Sequence, residues 1–315
     1  MSVRWGVLGA GWLVNQATAA AIHNADGAVL YATAARDIDR ARATQPQIAY
    51  DSYAAVLDDP HVDAVYICLS NDAHLPWIEA SIAAGKHVLC EKPLVLTAEQ
   101  AERAFALADN AGVHLVEATW SRWHPRMRRI VELATSGALG EISNYLGTFT
   151  FDSMTEGNYR LSPDHGGGAL YDVGIYPLHA LIACLPDVTS FDIMQVDRVM
   201  SDHGVDVTTT ATLTWGGDSR ASIAGSFVMP ESQRLTIRGS AGEVTVTDNQ
   251  AFTTWRAAST LRVGDHVEEF PTVDAYQIMF EEMSALIRGG DGWLLPPQDS
   301  IRVAQTVDAL RLHSA

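Results

Sequence analysis

The chain has 315 residues, of which 47% are hydrophobic, so it can bury a large core, and its length favours two domains over one. Its 38 acidic and 21 basic residues give a formal charge of -17 at pH 7. That charge would repel nucleic-acid phosphates and anionic membrane surfaces, so the composition argues against both as partners.

Cysteine usage and the N-terminus bear on the compartment. Cys68, Cys90 and Cys184 are widely spaced in apolar runs, which indicates neither a disulfide framework nor a zinc site. Met1 leads directly into a strand pattern without a signal peptide, and no apolar run is long enough to span a membrane. We therefore expect a soluble, cytoplasmic protein that holds no metal.

Residues 1–119 have the pattern of a doubly wound parallel sheet, and we assign them to a first, α/β domain. Short runs rich in Val, Ile and Leu alternate with alanine-rich helical stretches, which is typical of strands buried on both faces. The predicted strands are 3–8, 28–34, 62–69, 87–90 and 113–117.

Residues 120–315 are assigned to a second, α+β domain. From about residue 142, polar and apolar residues alternate in segments separated by Gly, Asp and Asn turns, which predicts an antiparallel sheet with one buried face. The predicted strands are 207–215, 219–228, 234–238 and 243–247, and the predicted helices that follow them are 276–288 and 299–312.

A glycine loop follows the first predicted strand and predicts a dinucleotide site. Gly9 allows a tight turn, and Gly11 lets backbone amides approach a pyrophosphate where Trp12 and Leu13 open a helix. Val14 occupies the third position of the fingerprint, where a small residue usually stands. The helix must therefore lie slightly farther out, or the valine side chain must find a gap.

The residues after the second predicted strand bear on the choice of cofactor. An NAD site usually supplies an acidic residue there, whereas an NADP site supplies positive charge to the 2'-phosphate. Arg36, with Arg40 one turn later, favours NADP, and NAD is the second choice. The alternative, that both arginines form a solvated helix face with Asp37 and Asp39, stays open at this point.

The segment Glu91-Lys92-Pro93 follows the predicted strand 87–90, which places Lys92 at the carboxyl edge of the parallel sheet, where ligands bind in this architecture. Farther along, Asp172, Tyr176 and His179 stand at i, i+4 and i+7 behind a run of glycines. On a helix these three side chains face one way.

These residues can serve hydride transfer. Reducing a carbonyl by hydride builds negative charge on oxygen, which calls for a proton donor and a nearby cation. We assign the cation to Lys92 and the proton to Tyr176, because a phenol needs an adjacent ammonium to exchange its proton near neutral pH. The reverse assignment stays open. Asp172 could bind a substrate hydroxyl or keep Lys92 charged, and His179 could contact substrate or orient Tyr176.

Each of these residues also has a purely structural interpretation. Asp172 could cap a helix, Tyr176 could be a half-buried core aromatic, His179 could be a satisfied helix histidine, and Lys92 could be a surface charge.

The combined motifs resemble those of the glucose-fructose oxidoreductase, inositol dehydrogenase and dihydrodiol dehydrogenase superfamily (Gfo/Idh/MocA), essentially from end to end. Tyr176, Arg36 and the segment 120–125 place the chain nearer the dihydrodiol and xylose dehydrogenase branch. The matching segments are Trp5-Gly6-Val7-Leu8-Gly9-Ala10-Gly11, Ser70-Asn71-Asp72-Ala73-His74, Gly85-Lys86-His87-Val88-Leu89-Cys90-Glu91-Lys92-Pro93, Glu117-Ala118-Thr119-Trp120-Ser121-Arg122-Trp123-His124-Pro125, Gly137-Ala138-Leu139-Gly140-Glu141 and the glycine-led stretch 166–176.

The resemblance implies an N-terminal Rossmann domain, a C-terminal domain with a large, mostly antiparallel sheet, and homodimers or homotetramers formed through that sheet. It implies that Lys92 is the catalytic-site lysine, that Tyr176 is the acid–base residue, and that the Lys92–Pro93 peptide bond is cis, which would aim the lysine into the cleft. In this branch the cofactor is NADP more often than NAD.

Further contacts are expected from residues that would line the cofactor site and from loops that would form the pocket wall. Cofactor contacts are expected from Ser70, Asn71, His74, Glu91 and Lys92. Substrate contacts are expected from Trp120, Arg122, Trp123, Tyr159 and Arg160, in addition to Lys92, Asp172, Tyr176 and His179. Two departures from the family pattern are Val14 and the pair Leu69-Ser70, which stands where the family often has Thr-Pro.

The leading hypothesis is an NADP-dependent oxidoreductase that acts on a secondary alcohol or ketone of a sugar, a sugar derivative or a cyclic diol. One alternative is a hydrolase of the same family, in which tightly held NAD oxidises a sugar transiently and elimination cleaves the glycosidic bond. The other is a non-catalytic regulator that senses nucleotides on the same fold.

Overall fold

The computed structural model describes residues 2–155 and 157–313. The strands, numbered along the chain, are β1 (Val3–Leu8), β2 (Ala28–Ala34), β3 (Ile48–Tyr50), β4 (Ala64–Ile67), β5 (His87–Cys90), β6 (Leu115–Glu117), β7 (Ile142–Asp152), β8 (Asp192–Met200), β9 (Asp206–Trp215), β10 (Ser219–Ser226), β11 (Val228–Gly239), β12 (Glu243–Thr245), β13 (Ser259–Val263) and β14 (His266–Phe270).

The α-helices are α1 (Ala19–Asn24), α2 (Ile38–Ala43), α3 (Tyr53–Asp58), α4 (Asn71–Ala83), α5 (Ala98–Ala111), α6 (Pro125–Thr135), α7 (Ile175–Cys184), α8 (Ala275–Ile287) and α9 (Pro297–Leu312). Short 3-10 turns cover Trp120–Trp123, Tyr159–Leu161 and Pro163–His165, and π-helical turns cover Val14–Thr18 and Leu170–Gly174. Within the described ranges, no helix is long and apolar enough to cross a membrane.

The chain forms two compact units. The first unit comprises residues 1–120 and 274–297, and the second unit comprises residues 121–273 and 298–315.

The first unit is built on a six-stranded parallel sheet with the order β3-β2-β1-β4-β5-β6. Strand β4 is buried along its whole length, as expected for a parallel strand covered on both faces. This arrangement confirms the predicted doubly wound α/β domain. Because all six strands run the same way, the residues that follow β1, β2, β4 and β5 meet at one carboxyl edge of the sheet.

Helix α8 belongs to the first unit, although the sequence analysis placed residues 274–297 with the second domain. The ring of Phe280 packs edge-on against Trp5 at 5.0 Å and against Tyr66 at 5.3 Å. The Trp5 Nε1–H donates a 3.0 Å hydrogen bond to Ser284 Oγ. These buried contacts join β1 and β4 to a segment more than 200 residues later in the chain.

The second unit is built on an eight-stranded sheet with the order β14-β13-β12-β11-β7-β10-β9-β8. Every neighbouring pair is antiparallel except β7 with β10, which is parallel. The mostly antiparallel sheet is confirmed. Helix α7 packs on β7 and β10, and all ten of its residues are buried, as expected for a helix that is apolar on every side.

Candidate active site

The two glycines of the loop after β1 differ in their surroundings. Gly9 has φ +107°, and a Cβ atom there would overlap the carbonyl oxygen of Cys68. A Cβ atom on Gly11 would meet no atom within 4 Å. The fold therefore requires glycine at position 9, whereas the space beside Gly11 fits the close approach of a pyrophosphate.

The residues after this loop begin a π-helical turn. Trp12 is 72% exposed, and Val14 is fully buried at the start of Val14–Thr18. The valine side chain thus finds a gap in the core, which was one of the two outcomes expected from its size. The Asn15 side-chain amide donates to the carbonyl oxygens of Ala10 and Gly11 at 3.1 and 2.9 Å, which steadies the loop.

The charged residues after β2 fall into two groups, those that form side-chain contacts within α2 and those whose side chains face solvent. Asp37 caps α2 by accepting from the Asp39 backbone N–H at 3.0 Å, and the Asp39 carboxylate pairs with Arg42 at 2.8 Å. Arg36 and Arg40 are exposed, and no carboxylate pairs with either of them among the residues that the structure describes. Asp37 and Asp39 thus have partners other than Arg36 and Arg40.

Lys92 follows β5 and is half-buried, and the Lys92–Pro93 peptide bond is cis, which confirms the expectation. The carboxylate of Glu91 lies behind it. Tyr66 Oη donates a 2.6 Å hydrogen bond to Glu91 Oε1, and the Lys92 backbone N–H donates to Glu91 Oε2 at 3.3 Å. Burial raises the pKa of Glu91 to about 7, although the Tyr66 hydroxyl and the Lys92 charge oppose that rise.

His74, expected to contact cofactor, is fully buried between two loops of the first unit. Its Nδ1 lies 2.8 Å from the Pro93 carbonyl oxygen and its Nε2 lies 3.2 Å from that of Leu69. Burial lowers the pKa of His74. The imidazole therefore links the loop after β4 to the loop that carries Lys92. Ser70 and Asn71, at the start of α4, are half-buried beside this link.

In the second unit, the glycine run before α7 lets the chain fold back on itself. A Cβ atom on Gly167 would overlap the Arg160 carbonyl oxygen, and one on Gly168, whose φ is +126°, would overlap Asp206 Oδ1. Asp206 Oδ2 accepts from the Leu170 backbone N–H at 2.8 Å and from Thr209 Oγ1 at 2.7 Å. Asp206 thus ties the start of the next helical turn to β9.

Asp172 and Tyr176 lie on consecutive helical turns of different kinds. Asp172 belongs to the π-helical turn Leu170–Gly174, and Tyr176 is the second residue of α7. Arg160 Nε donates to Asp172 Oδ2 at 2.7 Å, a partner that the sequence analysis did not assign. The Tyr176 side chain is 8% exposed, and its ring lies 5.4 Å from that of Phe149.

Several residues expected to bind substrate are engaged inside the second unit. Arg122 is 5% exposed, pairs with Asp299 at 3.0 Å and donates to the carbonyl oxygen of His179 at 3.3 Å. His179 is 1% exposed and Trp123 is fully buried. Arg122 therefore has bonding partners within the unit, and Trp123 and His179 are buried there.

The remaining aromatic candidates differ in exposure. Trp120 is buried and stacks on Tyr276 of the first unit at 5.1 Å. Tyr159 is 46% exposed and lies beneath the Arg160 guanidinium, with 4.9 Å from Arg160 Cζ to the centre of its ring. Of the aromatic residues expected to contact substrate, Tyr159 has the largest exposed fraction.

Sequence reasoning missed one supporting residue in each unit, Tyr66, the partner of Glu91, in the first and Asp206 in the second. Each lies on a strand more than 20 residues from the group it holds. No spacing in the sequence connects either residue to its partner. The available signal is a polar group on a strand, a carboxylate at the start of one and a tyrosine hydroxyl inside a buried one, because such a group needs a nearby hydrogen-bonding partner.

Comparison with known proteins identifies both units. Residues 3–119 match the model described as oxidoreductase family, NAD-binding Rossmann fold, and residues 127–245 match the GFO/IDH/MocA C-terminal domain.

Three relatives illustrate the similarity. A dTDP-3,4-didehydro-2,6-dideoxy-alpha-D-glucose 3-reductase of Actinomadura kijaniata is 33% identical over 89% of this chain and 86% of its own length. A D-xylose 1-dehydrogenase (NADP(+)) of Haloferax volcanii is 33% identical over 89% of this chain and 87% of its own. The crystal structure of KijD10, a 3-ketoreductase from Actinomadura kijaniata in complex with NADP and TDP-benzene, aligns with a TM-score of 0.89 and 30% identity over 99% of this chain and 97% of that one.

Proposed function

The chain belongs to the GFO/IDH/MocA oxidoreductase family, and we propose that it is an NADP-dependent enzyme that interconverts a secondary alcohol and a ketone on a sugar, a sugar derivative or a cyclic diol. The observation that carries this proposal is the carboxyl edge of the first sheet. The loop of Gly11, with open space beside it, follows β1, and the loop that carries Lys92 follows β5. Both strands belong to one parallel sheet.

The first unit supplies the groups that would hold the cofactor. The backbone around Gly9 and Gly11, with Trp12 and Leu13 at the helix start, would receive the pyrophosphate. Arg36, with Arg40, would bind the 2'-phosphate, which the exposure of both guanidinium groups permits. Ser70, Asn71 and Glu91 are the other residues at this edge that would contact the cofactor. Nicotinamide bound there would supply or accept the hydride.

Lys92 and Tyr176 carry the acid–base chemistry in this proposal. The Lys92 ammonium stabilises the negative charge that develops on the substrate oxygen during reduction, and the Tyr176 hydroxyl delivers the proton to that oxygen. In alcohol oxidation Tyr176 takes the proton back. In the opposite division of these roles, Lys92 delivers the proton and Tyr176 donates a hydrogen bond to the substrate oxygen.

The assembly and the compartment complete the proposal. We propose a cytoplasmic homodimer or homotetramer that associates through the C-terminal sheet. On the edge strand β8, the exposed fractions of Met194, Val199 and Met200 are 62%, 56% and 52%. These exposed apolar side chains support such an interface. Light scattering coupled to gel filtration measures the assembly directly, and a monomer at micromolar concentration would contradict it.

The decisive experiment combines activity with cofactor binding. Aldoses, ketosugars, inositols and dihydrodiols are screened with NADPH, NADP+, NADH and NAD+ by cofactor fluorescence. On the best substrate, Lys92→Ala and Tyr176→Phe should each lower kcat at least about 100-fold, while the Kd for NADPH stays within about twofold. If both variants turn over at nearly the wild-type rate, the assignment fails. Mass spectrometry that finds retained NAD would favour the hydrolase alternative.

The lysine content allows a second readout that needs no substrate. The chain has two lysines, Lys86 and Lys92. Lys86 is buried, and its Nζ donates to the carbonyl oxygens of Asp59 and Val62 at 2.9 and 2.8 Å. With 13Cε-labelled lysine, NADP+ should shift the Lys92 resonance and leave the Lys86 resonance in place as an internal control. An unshifted Lys92 signal at saturating NADP+ would contradict the proposed site.

A further inference from the structure

The segment that precedes α7 is tied to the helix by backbone contacts as well as by side chains. The Gly167 N–H donates to the Ser162 carbonyl oxygen and the Gly168 N–H donates to that of Arg160, each at 2.9 Å. The Asp172 N–H then donates to the Gly168 carbonyl oxygen at 3.1 Å. The 3-10 turn that carries Arg160 and the π-helical turn that carries Asp172 therefore form one bonded assembly.

Arg160 is charged and directed at Asp172 within this assembly. The 2.7 Å contact from Arg160 Nε to Asp172 Oδ2 joins side chains that are 32% and 13% exposed. The guanidinium also lies over the Tyr159 ring. Burial alone would lower the pKa of Arg160, but the charges of Asp172, Tyr159 and Tyr176 raise it, so Arg160 remains protonated.

The surroundings of Tyr176 make the charge on Asp172 consequential. On its own helical segment the titratable neighbours are Asp172 at i−4 and His179 at i+3, and the turn 159–161 adds Tyr159 and Arg160. From β7 and the segment after β12, the ring meets Phe149 at 5.4 Å and Phe252 at 6.2 Å, which carry no charge.

An unpaired carboxylate one turn before a phenol disfavours the phenolate, because the two negative charges repel each other in a poorly hydrated site. A guanidinium bound to that carboxylate removes most of the repulsion. The phenol can then exchange its proton more readily near neutral pH.

We propose that Arg160 is a positioning residue for the reaction, which fixes and neutralises Asp172 so that Tyr176 can transfer its proton. This inference rests on the proposed function for the role of Tyr176. It gives Arg160 and Asp172 a role through Tyr176 rather than through direct contact with substrate.

The test measures the titration of Tyr176 without turnover. Tyrosines labelled at 13Cζ are followed by NMR from pH 6 to 12, and Tyr176→Phe identifies the signal. Arg160→Gln removes the guanidinium charge from the Asp172 carboxylate, so the Tyr176 midpoint should rise by about one pH unit. Asp172→Asn leaves the guanidinium unpaired, so the midpoint should fall. The double variant should lie between the two single variants.

Activity supplies the second readout. At pH 7, Arg160→Gln should lower kcat about tenfold with the KM for cofactor unchanged, the loss should shrink as the pH is raised, and Arg160→Lys should recover most of it. The control is Arg238→Gln, which breaks an exposed ion pair with Glu243 in the same unit.

The outcomes separate this inference from the proposed function. Equal Tyr176 midpoints in the wild type, Arg160→Gln and Asp172→Asn would overturn it, whether or not the protein turns over a substrate. If Tyr176→Phe leaves kcat intact while the midpoints move in opposite directions, the catalytic assignment fails but the electrostatic effect of Arg160 stands. Should Arg160→Gln fold poorly, Arg160→Lys and Asp172→Asn still give the comparison.

Discussion

Tyr66 and Glu91 share a short buried hydrogen bond, 2.6 Å from Tyr66 Oη to Glu91 Oε1, directly behind the lysine proposed to act on substrate. The carboxyl group is buried, and its pKa of about 7 lies well above the ordinary value of 4.5. Protonation of Glu91 near neutral pH is therefore coupled both to stability and to the loop that carries Lys92.

The first prediction concerns the pH dependence of stability. The raised pKa means that the folded state binds a proton at Glu91 more tightly than the unfolded state. The protonated Glu91 therefore contributes to the free energy of unfolding below pH 4.5, and this contribution is lost as the pH rises through 7. Relative to Glu91→Gln, the wild type should lose about 3 kcal/mol of unfolding free energy across this window. Urea unfolding at pH 5, 6, 7 and 8 measures the difference.

Asp63 provides the matched control for that experiment. Its ion pair with Arg4 lowers the pKa of Asp63 despite partial burial, so the carboxylate is charged throughout this window. The difference between the wild type and Asp63→Asn should be flat from pH 5 to 8. A flat Glu91→Gln difference as well would show that Glu91 stays charged in the fold.

The second prediction separates the two loop glycines. Gly9→Ala should destabilise the protein by about 1–3 kcal/mol, because it forces a Cβ atom against Cys68 at a positive φ. Gly11→Ala should change stability by less than about 0.5 kcal/mol, yet weaken NADPH binding at least about tenfold. Thermal unfolding and fluorescence titration test both variants. Unchanged NADPH affinity in Gly11→Ala would contradict pyrophosphate binding at this loop.

The third prediction concerns the choice between NADP and NAD. Arg36→Gln should weaken NADP+ binding by about 10- to 100-fold, the loss of one or two charge-assisted hydrogen bonds, with NAD+ binding nearly unchanged. Arg42→Gln is the control, since Arg42 already pairs with Asp39 at 2.8 Å. Equal losses for both cofactors, measured by calorimetry, would contradict the assignment of Arg36.

The fourth prediction concerns the support beneath α7. Tyr145 Oη donates a 2.6 Å hydrogen bond to the carbonyl oxygen of Pro177, the residue after Tyr176, and both groups are buried. Tyr145→Phe leaves that carbonyl without this donor and should cost about 1–2 kcal/mol of unfolding free energy. It should also lower kcat several-fold through Tyr176. Denaturant unfolding and steady-state kinetics measure the two effects, and a loss of stability without any change in kcat would limit Tyr145 to packing.

Patterns within a few residues were sufficient to predict much of the fold. The apolar runs of β1, β4 and β5 predicted a parallel sheet because strands buried on both faces carry few polar residues. The motif around Lys92 predicted the cis bond through its resemblance to the family. The roles of Lys92 and Tyr176 themselves stay predictions.

Features that depend on distant contacts were not predictable in this way. The place of α8 in the first unit depends on Phe280 meeting Trp5, and no local pattern records which sheet a helix covers. Strand β8 was missed because most of its side chains are exposed, so its apolar and polar residues do not alternate. The Arg160–Asp172 pair depends on the glycine run folding the chain back, which spacing alone does not reveal.

The return of residues 274–297 to the first unit has an evolutionary consequence. A contiguous N-terminal fragment would lack Phe280 and Ser284, and so would lose the aromatic cover of Trp5 and Tyr66. Recombination that transplants only the leading stretch of the gene would deliver an incomplete nucleotide-binding module. Shuffling of this module must move two separate coding segments together.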